Sequence, residues 1–114
     1  MAKVNTGVAA FNYDDLLAST DAKTLPAIAK DTVLLRGTIV ALGEEGIVPI
    51  ADAEDGKVYG IAAEDVDATE EKAHTVVYVA GTFNRDALVT GGEKKVEELE
   101  TEMRDIGLFI RDTY

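Results

Sequence analysis

The apolar residues up to Thr24 follow no sustained period, whereas from Thr32 they gather in β-branched and aliphatic runs. Met1 to Thr24 mixes small and polar residues around a single apolar cluster, Phe11, Tyr13, Leu16 and Leu17. No spacing of 2 or 3.6 residues persists there, although Tyr13 to Ala18 could form a short helical turn. The pattern predicts an N-terminal arm over residues 1–24, ordered by its surroundings, and one domain over residues 25–114.

From Val33 to Leu42 the chain is rich in β-branched and aliphatic residues, and Gly43 closes the run. This predicts a strand, with a bulge or bend at Gly37. Ile47 to Ile50 is a shorter apolar segment that Pro49 confines to a sheet edge or a turn flank. Asp55-Gly56, between Ile47-Val48 and Val58-Tyr59, is the strongest hairpin signal in the chain. Val58 to Ala63 resumes strand character, and Glu64 to Lys72 reads as a solvated acidic connection.

His74 to Phe83 is the clearest strand. Its apolar residues fall on both alternating faces, so it is buried on both sides or lies at a subunit contact. Asn84-Arg85-Asp86 breaks the pattern, and Gly91-Gly92 precedes a helix from Glu93 to Asp105 with Val96, Leu99 and Met103 on one face. Gly107 caps it, and Leu108-Phe109-Ile110 is a last strand. The sum is a mainly β domain with one helix near the C-terminus, not the alternating elements of a βαβ fold.

Composition narrows the function classes. The chain has 114 residues, enough to bury a core, and no cysteine, which excludes a disulfide scaffold, a thiolate metal site and a cysteine nucleophile. The 11 Lys and Arg against 22 Asp and Glu give a net charge of −11, which repels nucleic acid and anionic membrane surfaces. No apolar run approaches the ~20 residues of a membrane span and no basic-then-apolar leader opens the sequence, so the expected product is soluble and made in the cytoplasm.

The search for chemistry returns little. His74 is the single histidine, and Ser19, the single serine, lacks a G-x-S-x-G setting. Asp65 to Glu70 begins like a calcium loop, but Glu70 stands where the turn needs Gly, and Val76 stands where the loop ends in Glu. Asp52-Ala53-Glu54-Asp55-Gly56 places its glycine one position early. Gly91-Gly92-Glu93-Lys94-Lys95 precedes a helix without the spacing of a phosphate loop. No catalytic residue, metal ligand or cofactor site is expected.

Read in order, several segments carry a resemblance. They are Phe11-Asn12-Tyr13-Asp14-Asp15-Leu16-Leu17-Ala18, then Leu35-Arg36-Gly37-Thr38-Ile39-Val40, then Tyr59 to Ala68. Val77-Tyr78-Val79-Ala80-Gly81-Thr82-Phe83-Asn84 follows, and Ile106-Gly107-Leu108-Phe109-Ile110 comes after the helix. This arrangement, from Phe11 to Ile110, resembles the head decoration proteins of tailed bacteriophages, the group typified by the lambda protein D. It departs from the lambda-type protein in having no Trp and a longer C-terminal helix.

The resemblance implies a small β-clip-like partial barrel with one C-terminal helix and a flexible N-terminal arm. It implies a non-enzymatic cement protein on the outer surface of the virion capsid, sitting on the expanded head at threefold and quasi-threefold sites. The implied partners are the major capsid protein and further copies of the chain, as a homotrimer formed in solution or only on the capsid. Such arms add strand pairing to the capsid protein, and by position and type Phe11, Tyr13, Leu16 and Leu17 would be the capsid-binding anchors. The alternative, from another class, is a small acidic binding module that inhibits a host protein or mimics a polyanion.

Overall fold

The computed structural model describes residues 16–18, 22–43, 45–53, 57–92 and 95–112. In chain order the strands are β1 (Lys23–Ala29), β2 (Val33–Leu34), β3 (Ile39–Leu42), β4 (Ile47–Pro49), β5 (Gly60–Ala62), β6 (Val66–Asp67), β7 (Ala73–Asn84) and β8 (Leu108–Arg111). One α-helix, α1 (Val96–Asp105), lies between β7 and β8, and short 3-10 turns follow β4 and β7. Strands β1, β4, β3, β5 and β7 pair in that order, and β1 pairs back onto β7, which closes a small partial barrel. The fold is mainly β with one helix near the C-terminus, as the pattern of apolar positions implies.

The barrel is narrow, so its interior takes small side chains. Ala29, Val40, Ile47, Ala62 and Val77 are each at most 1% exposed and form one cluster. β2 and β6 pair with each other as a separate flap, and their Leu34 and Val66, with Ala68, close one end of that interior. Alternate residues of the same strands face the other way. Ile39, Ala41, Ile61 and Phe83 build a second cluster under α1, with Leu99 and Met103 of the helix, Leu108 of β8, and Leu16 from the N-terminal segment. β3 and β5 are thus buried on both faces, which accounts for their unbroken apolar runs. β7 is buried less continuously, at Thr75, Val77 and Phe83 with mostly half-buried residues between, and it places Val77 in one cluster and Phe83 in the other.

Several expectations are corrected. The Val33–Leu42 run is two strands, because the chain turns at Arg36-Gly37. Gly37 has φ +97, and a Cβ there would lie 2.4 Å from the Ala87 carbonyl oxygen. The turn is fixed by Thr38, whose N–H and hydroxyl both donate to the Leu35 carbonyl, at 2.9 and 2.7 Å. The segments flanking Asp55-Gly56 do not form a hairpin: β4 and β5 each pair with β3, which lies between them. Asp55-Gly56 itself lies outside the described residues. A strand buried on both faces is most stable with a partner on each edge, and that favours β3 at the centre.

Within the acidic connection, Val66 and Ala68 turn inward and β6 pairs with β2. The helix begins at Val96, and residues 93 and 94 are not among those described. Leu99 and Met103 are buried, Val96 packs beside them, and Gly107 follows the helix at φ +99. β8 runs parallel to β7 through a crossover that contains α1, so one βαβ-like unit is built into the mainly β domain. β1 crosses the expected boundary after residue 24, since Lys23 and Thr24 already pair with Ala80 and Tyr78.

Barrel closure rests on a single pairing, Ala29 with Ile47. Gly46, just before it, has φ +150, and a Cβ there would sit 2.2 Å from the Ile28 carbonyl oxygen. Gly46→Ala is therefore expected to lower stability by more than about 1 kcal/mol in urea unfolding; an unchanged midpoint would contradict this closure. Leu16→Ala is expected to cost about 2–5 kcal/mol, the range for truncating a leucine in a packed core. A loss near zero would show that the N-terminal segment is not part of the fold.

Candidate functional site

β7 is longer than the barrel it belongs to. It passes Ala73 near the flap, contributes Val77 to the interior, and continues beyond Val79 to Asn84. On one edge of this extension β8 pairs in parallel, from Gly81 with Leu108 to Asn84 with Arg111. On the other edge Leu17 bridges antiparallel to Phe83. The Ala18 N–H donates to the Thr82 carbonyl and the Asn84 N–H to the Leu16 carbonyl, both at 2.9 Å. The chain therefore enters the sheet and leaves it at the same end, with residue 16 and residue 111 on opposite sides of Asn84.

Of the four arm residues, Leu16 and Leu17 are among those described. Leu16 is 1% exposed within the helix-side core, and Leu17 packs against that same cluster. Phe11 and Tyr13 lie outside the described residues. Whatever precedes Leu16 thus departs from a fixed point, held by one buried side chain and two backbone hydrogen bonds. The same end carries a residue not singled out by the sequence: Phe109, 46% exposed on β8. Its signal was available as the middle of three consecutive apolar residues in a strand with one partner. Leu25 at 47% and Leu42 at 65% also stand exposed, Leu25 in a stretch whose pattern predicts no element and Leu42 at the end of an apolar run that reads as a strand.

Charge reinforces this end of β7. The Arg85 guanidinium donates through Nε to Asp112 at 2.6 Å and through Nη2 to Glu100 at 2.9 Å. Asp112 and then Glu100 hold Arg85 above its ordinary pKa. The pairs tie the turn after β7 to α1 and to the residue after β8. Arg85 and Glu100 are largely shielded from water, so this contact counts for more than an exposed pair. Beside the barrel seam, Lys30 donates to Glu45 at 2.8 Å, and that carboxylate raises the lysine pKa.

The acidic segments have local structural uses. Asp65 accepts the Arg36 N–H at 2.8 Å. Asp67 accepts both the N–H and the hydroxyl of Thr69, which hold its carboxyl below the usual carboxylate range. His74 is exposed on β7, and Ser19 lies outside the described residues. Among the described residues no group of three or more His, Asp or Glu is placed to hold a metal ion, and no helix is long and apolar enough to cross a membrane. What this end offers is backbone edge, apolar contact and a fixed point of departure for a peptide segment.

Comparison with known proteins agrees with the order of segments. No curated protein matches the chain. A family model, described as bacteriophage lambda head decoration protein D, matches residues 4–105 and so takes in the N-terminal segment, the barrel and α1. The chain belongs to the family of the bacteriophage lambda head decoration protein D.

Proposed function

We propose that the chain is a non-enzymatic cement protein. It binds as a trimer to the outside of the expanded phage head, at threefold and quasi-threefold positions, and stabilises the shell. The observation that carries this reading beyond family membership is the anchored departure point at Leu16. A segment that adds a strand to a partner must pull against something firm, and Leu16 supplies that with a fully buried side chain. Phe11 and Tyr13 are the anchors that enter the capsid protein, while Leu16 and Leu17 hold the base of the arm.

The mechanism is mass action without chemistry. A ligand that binds only the expanded lattice stabilises it by RT ln(1 + [L]/Kd), about 2.7 kcal/mol per site at a hundredfold excess over Kd. A trimer that touches several capsid subunits adds avidity through its three arms. The net charge of −11 suits an outer coat, since like-charged surfaces repel neighbouring particles and stray nucleic acid.

The test is binding to expanded heads that lack the protein. Removing residues 1–15 is expected to abolish binding while the thermal midpoint stays that of the full chain; retained binding would overturn the arm. Phe11→Ala combined with Tyr13→Ala is expected to weaken binding at least about tenfold, in keeping with loss of aromatic anchors. In calorimetry, heads that carry the full chain should disrupt at a higher temperature than bare heads. Equal disruption temperatures would remove the cement role.

A further inference from the structure

One face of the barrel wall has no covering layer. Residues directly opposite each other in antiparallel strands share a face, and β1 sets Pro26 against Val76 and Ile28 against His74. Ala27, Ala29 and Val77 point into the barrel, so these two pairs point outward. On the other edge of β7, Ala63 lies beside Val76 and its N–H donates to the Val76 carbonyl at 3.2 Å. The helix-side cluster reaches Tyr78 on this surface and stops there. Beyond it Pro26 and Ile28 are exposed and Val76 is half-buried.

The charge of this face is unlike that of the chain as a whole. None of the 22 Asp and Glu falls within residues 22–30 or 72–85, which hold β1 and β7. His74 is exposed on it, and Lys23 and Lys72 are exposed at its two ends. Arg36 lies along one side, where Nη1 donates to the Ala63 carbonyl at 2.7 Å and to the Tyr78 hydroxyl at 3.0 Å. Carboxylates on the border are engaged. Glu45 accepts from Lys30 at 2.8 Å, Asp65 from the Arg36 N–H at 2.8 Å, and Glu64 from the Thr75 hydroxyl at 3.1 Å.

Across the Arg36–Asp65 contact lies a second face of opposite character. Leu34 and Val66 of the flap point inward. Val33 and Leu35 stand outward, 53% and 59% exposed, and Asp67 is paired beside Val33. Residues 64–71 carry five acids and no Lys or Arg. The domain thus presents two adjoining apolar faces, one set among cations and the other among carboxylates.

Copies of a chain with net charge −11 repel one another, so a contact between them has to set acid against cation. Either face laid on its own copy would do the reverse, and would make a twofold pair. A closed ring of three needs two unlike faces on each copy, one offered to each neighbour. We propose that the trimer forms by docking the Ile28–Val76 face of one copy on the Val33–Leu35 face of the next. This rests on the trimer reading above and names the surfaces that build it.

Because the chain has no cysteine, Ile28→Cys and Leu35→Cys chains can be made separately. They are mixed with a short bis-maleimide, both free in solution and on undecorated expanded heads. The expected product joins position 28 of one chain to position 35 of another, and a chain with both substitutions should give covalent trimers. Ile28→Glu and, separately, the milder Ile28→Thr are expected to weaken trimer assembly at least about tenfold, with circular dichroism unchanged. Lys72→Glu combined with His74→Glu should weaken it likewise, and adding Glu70→Lys and Glu71→Lys to that chain should restore it. Trimers in which positions 28 and 35 fail to cross-link would overturn the assignment. So would a link from position 28 to another position 28 or to the capsid protein, or normal assembly of the Ile28 variants. A chain that is monomeric both free and on heads would instead overturn the trimer reading itself, which separates the two claims.

Discussion

Nearly every element of this domain depends on the pairing of β7 along both of its edges. β1 runs antiparallel along one edge from Ala73 to Ala80, and Leu17 takes up that line at Phe83. β5 and then β8 occupy the opposite edge. This strand therefore belongs to the barrel at one end and to a three-stranded extension at the other. Its Val77 and Phe83 lie in different cores, so the two hydrophobic clusters share one backbone. A strand held in this way has no free edge along most of its length, and that protects a long apolar run from pairing with other chains.

The functional reading grows from that arrangement. Because β8 returns parallel to β7 and the N-terminal segment arrives antiparallel to it, both ends of the described chain lie beside Asn84. The Arg85 contacts to Glu100 and Asp112 brace this corner. A protein of this family that attaches by a peptide arm has to transmit load from the arm into its core. Leu16, buried against the helix-side cluster, fixes the N-terminal segment to that core.

Much of the fold was legible in the sequence, for identifiable reasons. The β7 run, the α1 face of Leu99 and Met103, the Gly107 cap and the last strand are local patterns, and local patterns survive in the structure. What could not be read depends on contacts far apart in sequence. β1 carries a proline and small residues and shows no strand propensity of its own; β7 imposes its conformation. The split of Val33–Leu42 depends on the approach of Ala87 to Gly37, and the central place of β3 on pairing with both neighbours. Leu16 and Leu17 were singled out as apolar residues in a polar segment, but the pattern did not distinguish a residue that holds the arm from one that binds a partner. The family itself was legible because the order of segments survives even where single motifs are weak.

The central claim is that this domain is a stoichiometric component of the outer shell, and purified virions test it most directly. Quantitative mass spectrometry should find the chain at a copy number close to that of the major capsid protein. Absence from purified virions, with abundance in the infected cell, would contradict the account and favour a small acidic module that acts on a host protein.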